Sequence, residues 1–228
     1  SFGINYKIDT TNGLIYSRFN QVLHEKLSQT NALGFFIGVG PSAAFPTNNS
    51  SYIAEYRPYL DQRAMPRVFP EFSVGYHFSK ADVNIALAYR FYDHGRSAFD
   101  VAHRLRRHSL VLESYKYLGD YHGFCPFIGG GVSYENLQFK EVEANEVVAD
   151  FRTQLFTPIL TFGWDIRPAR RGDCWLLRTN LRYAPFLNLQ HRGANLSLQH
   201  VEFNFIQFVI YPQRIAQRKK LAPKRDVL

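Results

Sequence analysis

Along most of the chain, apolar and polar residues alternate with a period of two. That pattern predicts strands with two chemically different faces. Eight such segments are read, at residues 33–46, 67–79, 82–94, 105–118, 124–140, 154–168, 174–189 and 200–212. They exceed the usual soluble strand of about 5–6 residues. They reach the roughly 9–11 residues that cross a bilayer at a tilt. In the third segment Val83, Ile85, Leu87, Tyr89 and Phe91 share one face, and Asn84, Ala86, Ala88, Arg90 and Tyr92 the other. In the seventh, Trp175, Leu177, Leu181 and Tyr183 oppose Arg178, Asn180 and Arg182.

The connections alternate in length. Lys80-Ala81, residues 119–123 and residues 169–173 are short; 47–66, 95–104, 141–153 and 190–199 are long. Short turns at one end, long loops at the other and an even strand number predict an all-β fold. It is an eight-stranded antiparallel transmembrane up-and-down β-barrel with both termini on the short-turn side. Alternation alone fits a soluble barrel equally well, with the apolar face turned inward. Three features favour the inverted arrangement. Aromatic residues gather near strand ends (Tyr89, Phe91, Tyr92, Tyr115, Tyr117, Trp164, Trp175, Tyr183 and Tyr211), as membrane-interface girdles require. Gly38, Gly40 and Gly129-Gly130-Gly131 leave room for crowding or bends within strands. The polar faces carry charge deep in the strands. An eight-stranded barrel is just wide enough for side chains to fill it, so Glu71, Arg90, Glu113, Glu135, Asp165, Arg178, Arg182 and Glu202 are predicted to form a lumen ion-pair network.

The alternation slips at Ile206-Gln207 and near Glu113-Ser114, which predicts β-bulges. Pro70, Pro126, Pro158 and Pro185 each remove a ladder donor, so they are expected near strand ends or bulges.

Two arms flank the barrel of residues 32–212. In residues 1–31, Thr11 or Asn12 can cap a short amphipathic helix running to about Gln29. Ile15, Phe19, Val22, Leu23 and Leu27 would fall on one face, for a membrane leaflet or a partner. Residues 213–228 form a basic tail that includes Lys219, Lys220, Lys224 and Arg225. Ser1-Phe2-Gly3 opens directly into polar sequence, which is read as the processed form of an exported protein.

Of 228 residues, 46% are hydrophobic, which excludes a wholly disordered chain. No run of about 18 apolar residues exists, so no transmembrane helix is predicted. The formal charge of +8 would suggest nucleic acid, but the tail alone carries six basic residues against Asp226. The body is only mildly basic, and anionic headgroups or an acidic protein are the more natural targets than nucleic acid.

Candidate chemistry is sparse. His108 and Ser109 are adjacent in one strand, so they point to opposite faces and do not make a nucleophile–base pair. His77, His94, His103, His122, His191 and His200 lack metal-ligand spacing, and no cofactor is expected. Glu141, Glu143, Glu146 and Asp150 make one long loop acidic, most simply a solvated face. Arg104, Arg106 and Arg107 sit at the loop end of the fourth strand, either facing lipopolysaccharide phosphates or forming a charged rim. Cys125 and Cys174 share the short-turn end with one strand between them. A disulfide there requires the strand ends to fold inward, since a bond needs Cα atoms closer than about 7 Å.

The eight strands, three tight turns and four long loops resemble the small outer-membrane β-barrels of Gram-negative bacteria. DYHGFCPFIGGGVSYENL (120–137) and EFNFIQFVIYP (202–212) are similar to outer-membrane proteins of the Bacteroidota type. The resemblance implies residence in the bacterial outer membrane, with both termini periplasmic. It implies contact with outer-membrane lipid and lipopolysaccharide, and with other outer-membrane or periplasmic proteins. The leading expectation is a non-enzymatic structural or interaction subunit of a larger complex, such as barrel-assembly or secretion machinery. The alternatives are a narrow pore for small molecules, a lipid A-modifying enzyme and a soluble ligand-binding barrel.

Overall fold

The structure, a computed structural model, describes residues 7–9, 13–16, 33–47, 51, 55, 67–121, 123–168, 174–186, 188–191 and 194–221. Strands β1 (Lys7–Asp9) and β2 (Gly13–Tyr16) pair as a small separate sheet. Residues 13–16 were expected inside the N-terminal helix and are a strand instead. The rest of that expected helix, from residue 17 to 29, lies outside the described residues.

The barrel begins at β3 (Phe35–Pro46) and β4 (Arg67–Phe78), followed by β5 (Val83–Ala98) and β6 (Val101–Tyr117). It continues through β7 (Phe124–Glu143), β8 (Glu146–Ile166) and β9 (Trp175–Ala184). A separate hairpin of β10 (Asn188–His191) and β11 (Ala194–Ser197) precedes β12 (His200–Ile210). Each barrel strand pairs antiparallel with its neighbour in the chain, and β12 closes on β3. These are the eight strands read from the sequence, with shifted ends. Beyond β12 the chain turns at Pro212 into helix α1 (Pro212–Leu221), which the sequence reading left as an irregular tail. Proline suits this place, because the first helical position has no use for its missing N–H.

The wall is uneven in height. Strands β3, β4, β9 and β12 have 10–12 residues, while β5 and β6 have 16 and 17 and β7 and β8 have 20 and 21. The expected loops at 95–104 and 141–153 are mostly strand. The β5–β6 ladder runs to Ala98↔Val101, and the β7–β8 ladder to Glu143↔Glu146. The second hairpin closes through Ala144 and Asn145, both at positive φ (48° and 67°), the combination a two-residue hairpin turn requires. The sequence misled here for a physical reason. Where both faces of a hairpin leave the apolar layer, alternation fades although the hydrogen-bond ladder continues.

The bulge expected at Ile206-Gln207 is present, since the register of β12 shifts after Asn204 against both neighbours. Phe205 and Ile206 both point outward there. Gly40 makes the bulge possible: a Cβ at that residue would lie 2.5 Å from the Ile206 carbonyl oxygen. The slip expected at Glu113-Ser114 is absent, because β6 runs in regular register past both residues. Pro185 follows the end of β9, and Pro126 is the third residue of β7. Pro158 departs from the expectation and sits mid-strand in β8, in register with Val132.

Candidate functional site

Every barrel strand turns one set of alternating side chains inward, and the lumen they fill is layered. Nearest the short-turn end, Arg178 forks onto Asp165, with Nε at 2.7 Å and Nη2 at 2.9 Å. Tyr117 donates its hydroxyl to the same carboxylate and accepts from Asn84 Nδ2 at 2.8 Å. His77 Nδ1 in turn donates to Asn84 at 2.8 Å. The Arg178 guanidinium faces the rings of Phe36, Tyr115 and Phe127 at 4.9 to 5.7 Å, a cation–π setting strengthened by exclusion of water.

One layer further in, Arg182 bridges two carboxylates. Its Nη1 and Nη2 reach Glu71 at 2.7 and 3.0 Å, and its Nε and Nη2 reach Glu113 at 2.9 and 2.7 Å. Ser42 and Gln207 also donate to Glu71, at 3.0 and 3.1 Å. Toward the loop end, Arg107 forks onto Glu135 at 2.5 and 2.6 Å and reaches Glu202 at 3.0 Å. Arg90 pairs with Glu202, and Ser109 and Ser133 donate to Glu135.

Five arginines (90, 107, 167, 178 and 182) therefore meet five carboxylates (71, 113, 135, 165 and 202), with Arg167 3.9 Å from Asp165. Each of the ten is at most 5% exposed. Setting opposite charges face to face is what burial demands, because an unpaired buried charge costs several kcal/mol. All eight residues expected in the lumen network are brought together. Arg107 is the main omission. Sequence reasoning grouped it with Arg104 and Arg106, yet it has the parity of Ser109, Val111 and Glu113 and so faces inward. Parity along β6 was the signal that finds it.

Apolar clusters occupy both ends of the lumen beside buried polar groups, Arg67 and Glu141 at the loop end and His77 and Arg167 at the short-turn end. At the loop end, Leu196 and Leu198 fold back onto Ala44, Phe69, Tyr92, Leu105, Leu137 and Phe139. At the short-turn end Phe36, Tyr115, Phe127, Leu176 and Tyr211 pack together. Tyr211 leads into α1, whose Arg214 stacks on that ring at 3.6 Å and donates from Nε to the Leu33 carbonyl at 3.1 Å. Tyr92, Tyr115, Tyr117 and Tyr211 were expected in the girdles; they face inward and build these plugs. Tyr89, Trp175 and Tyr183 do face outward.

The outer face is the reverse of the lumen. Phe72, Leu87, Leu112, Ile128, Leu160 and Phe208 point away from the barrel and are 40–63% exposed. On β8 the outward residues from Phe156 to Ile166 are all apolar. An apolar belt around a charged interior is the arrangement of a membrane-spanning barrel.

Cys125 and Cys174 are free and buried, not bonded, with β8 standing between their strands. Glu141 is not a solvated loop residue; it is buried, 3.3 Å from His103. His108 points outward to the Tyr89 hydroxyl, 2.8 Å away, while Ser109 points inward. Among the described residues, no cluster of three His, Cys, Asp or Glu side chains is placed to hold a metal. Of the residues expected to meet a partner, Ile15 lies in β2, and Lys219 and Lys220 lie in α1. Phe19, Val22, Leu23, Leu27, Lys224 and Arg225 lie outside the described residues.

On the tall half of the wall, Arg104 and Arg106 face outward and both bind Asp93, Arg104 through Nε at 2.8 Å and Nη2 at 2.6 Å, Arg106 through Nε at 2.9 Å. Hydrogen bonds from Arg104, then from Arg106, hold the Asp93 carboxyl down to about 2.

No protein-family model matches the chain, and no curated protein sequence matches it. Among solved structures it is similar to Neisserial surface protein A, with a TM-score of 0.53 and 14% identity, covering 78% of this chain and 97% of that one. The N-terminal β-barrel domain of Pseudomonas aeruginosa OprF gives a TM-score of 0.44 at 12% identity, covering 77% and 97%. Ail, the attachment invasion locus protein of Yersinia pestis, gives 0.47 at 9%, covering 78% and 97%. At such identities the likeness is one of fold: this chain is built as the small eight-stranded outer-membrane barrels are.

Proposed function

We propose that the chain is an integral protein of the bacterial outer membrane, with both termini in the periplasm. It serves as a structural and interaction subunit of a larger outer-membrane complex, of the barrel-assembly or secretion kind. One observation carries this reading: five arginines and five carboxylates pair across the lumen, between apolar plugs at both ends. Such a lumen is filled by its own side chains and opposes the passage of ions. The protein then acts through its outer surfaces and its two arms, residues 1–31 and 213–228. Within the second arm, α1 is fastened to the barrel by Arg214, which donates to the Leu33 carbonyl and stacks on Tyr211.

The test has two parts. Gentle detergent extraction followed by affinity capture of the full chain is expected to recover companion outer-membrane or periplasmic proteins. Truncating residues 213–228 is expected to release them. A monodisperse barrel with no companions contradicts the subunit reading. Planar-bilayer recording is expected to show no steady conductance; stable ion-selective steps instead favour a narrow pore.

A further inference from the structure

The strand register sorts the outward face of the tall half into rows. Tyr89, Leu110, Tyr134 and Phe156 lie side by side on β5 to β8 and form the last apolar row. Two rows beyond, Asp93, Arg106, Gln138 and Arg152 are adjacent, and then Gly95, Arg104, Lys140 and Asp150. Four cations thus meet two carboxylates on one face. Asp93 grips Arg104 and Arg106 together, so the two guanidiniums are held side by side. A groove of about 560 Å³ runs past Asp93, Arg104 and Lys140, and a smaller one of about 150 Å³ past Arg104, Arg106 and Gln138.

Height decides what this patch meets. Two rows are four residues, about 13 Å along a strand, or about 9 Å vertically at a tilt near 45°. The headgroup region adds about 5–7.5 Å on each side of the hydrocarbon, so this row stands at its outer margin, where long arginine side chains reach back to its phosphates. The patch also opens sideways, on the face that continues downward into the apolar belt, and not into the lumen. The described short strands contribute nothing to the patch. Among the described residues, the outward positions of β3, β4, β9 and β12 carry no charged side chain at all.

We infer that this face of β5–β8 binds the phosphorylated headgroup of a glycolipid in the leaflet at the long-loop end, with Arg104, Arg106, Lys140 and Arg152 as the phosphate-binding residues. Arginine suits the task because its planar fork matches phosphate oxygens in pairs. The inference rests on the barrel being a membrane protein, and commits to a lipid-borne anion over a free one because of where the patch stands.

The full chain is reconstituted into phosphatidylcholine bilayers with and without a bisphosphorylated, acylated glucosamine disaccharide, and bound lipid is counted by native mass spectrometry. The expected result is retained glycolipid that falls about tenfold or more in R106Q/R152Q. It should be unchanged in K116Q, which removes an exposed outward cation at the opposite end of β6. Equal retention by R106Q/R152Q and the unaltered chain overturns the assignment. So does equal competition by inorganic phosphate at the same phosphate concentration, which marks a free-anion site. If the chain floats with the vesicles but retains no glycolipid, this inference alone fails. If it does not insert, the membrane reading fails with it.

Discussion

Leu160 and Thr161 are consecutive in β8 and inhabit opposite environments. Leu160 is 63% exposed on the outer face, while the Thr161 hydroxyl is buried and donates to Glu113 at 3.4 Å. The same contrast repeats around the wall, with apolar side chains outside and ten paired charges inside. In a soluble protein the hydrophobic effect drives burial of the apolar face. Here the outer face has hydrocarbon as its solvent, and the inner face must be stabilised by polar satisfaction. Both faces are therefore governed by one penalty, that of a charge or polar group left without partners in a medium of low dielectric. A defect inside is a partner removed; a defect outside is a charge added.

The largest effect is expected from the inside. Arg182→Ala leaves Glu71 and Glu113 facing each other without their shared cation. Breaking a buried pair in this way costs about 3–5 kcal/mol, read as a lower urea midpoint for the barrel folded in lipid vesicles. The triple change Arg182→Met, Glu71→Gln, Glu113→Gln is expected to recover most of the loss, because no bare charge remains. If the triple is as unstable as the single, the lumen is held by packing and not by charge balance. The outer face is tested next. Leu160→Arg, near the middle of the apolar stretch on β8, is expected to cost about 2–4 kcal/mol. Phe156→Arg, at its rim, should cost about 0–1 kcal/mol. Equal costs at the two depths would mean that the belt does not lie across a bilayer.

The contrast between faces also explains what could be read from sequence. Alternation is a property of the apolar layer, so the eight strands and the inward parity of Arg90, Arg178 and Arg182 were legible. Beyond that layer the signal disappears, and the upper parts of β5–β8 were taken for loops although their ladders continue. Arg107 was lost with them. It was judged by its neighbours Arg104 and Arg106 and not by its parity. Tyr115 and Tyr117 were assigned to the outside by residue type, since interfacial girdles favour tyrosine. Their parity with Glu113 puts them inside, stacked near Arg178 and Arg167. The return of Leu196 and Leu198 into the mouth has no local signal, because the residues they cover come from five other strands. Helix α1 follows a strand-like run directly at Pro212, and its short basic sequence carries little apolar periodicity.

The bulge at Phe205-Ile206 is where one strand changes its parity between faces. Gly40 lies against it, and a methyl group there meets the Ile206 oxygen at 2.5 Å and Gln207 Cα at 2.7 Å. Both contacts are backbone, so neither can swing aside. Gly40→Ala is expected to cost about 1–3 kcal/mol in the same unfolding assay. Gly95→Ala is the control: its nearest contact would be 3.8 Å away, and it should leave the urea midpoint close to that of the unaltered chain.

The smallest effect is expected where neither low-dielectric face is involved. Asp93 lies beyond the apolar belt, partly in water, and its carboxyl is held down to about 2 by hydrogen bonds from Arg104 and Arg106. A carboxyl in the unfolded chain titrates near ~3.9. The folded state binds the proton more weakly, so the contribution of Asp93 to stability is complete above ~4 and is lost as pH falls through about 2. Asp93→Asn should therefore lower the neutral-pH midpoint slightly and flatten its decline between ~4 and about 2. The increment should shrink in high salt, because exposed ion pairs are screened. The buried Arg182 network should show no such salt dependence. If both respond alike to salt, water reaches the lumen, and the division between the two faces is less sharp than the side-chain burial implies.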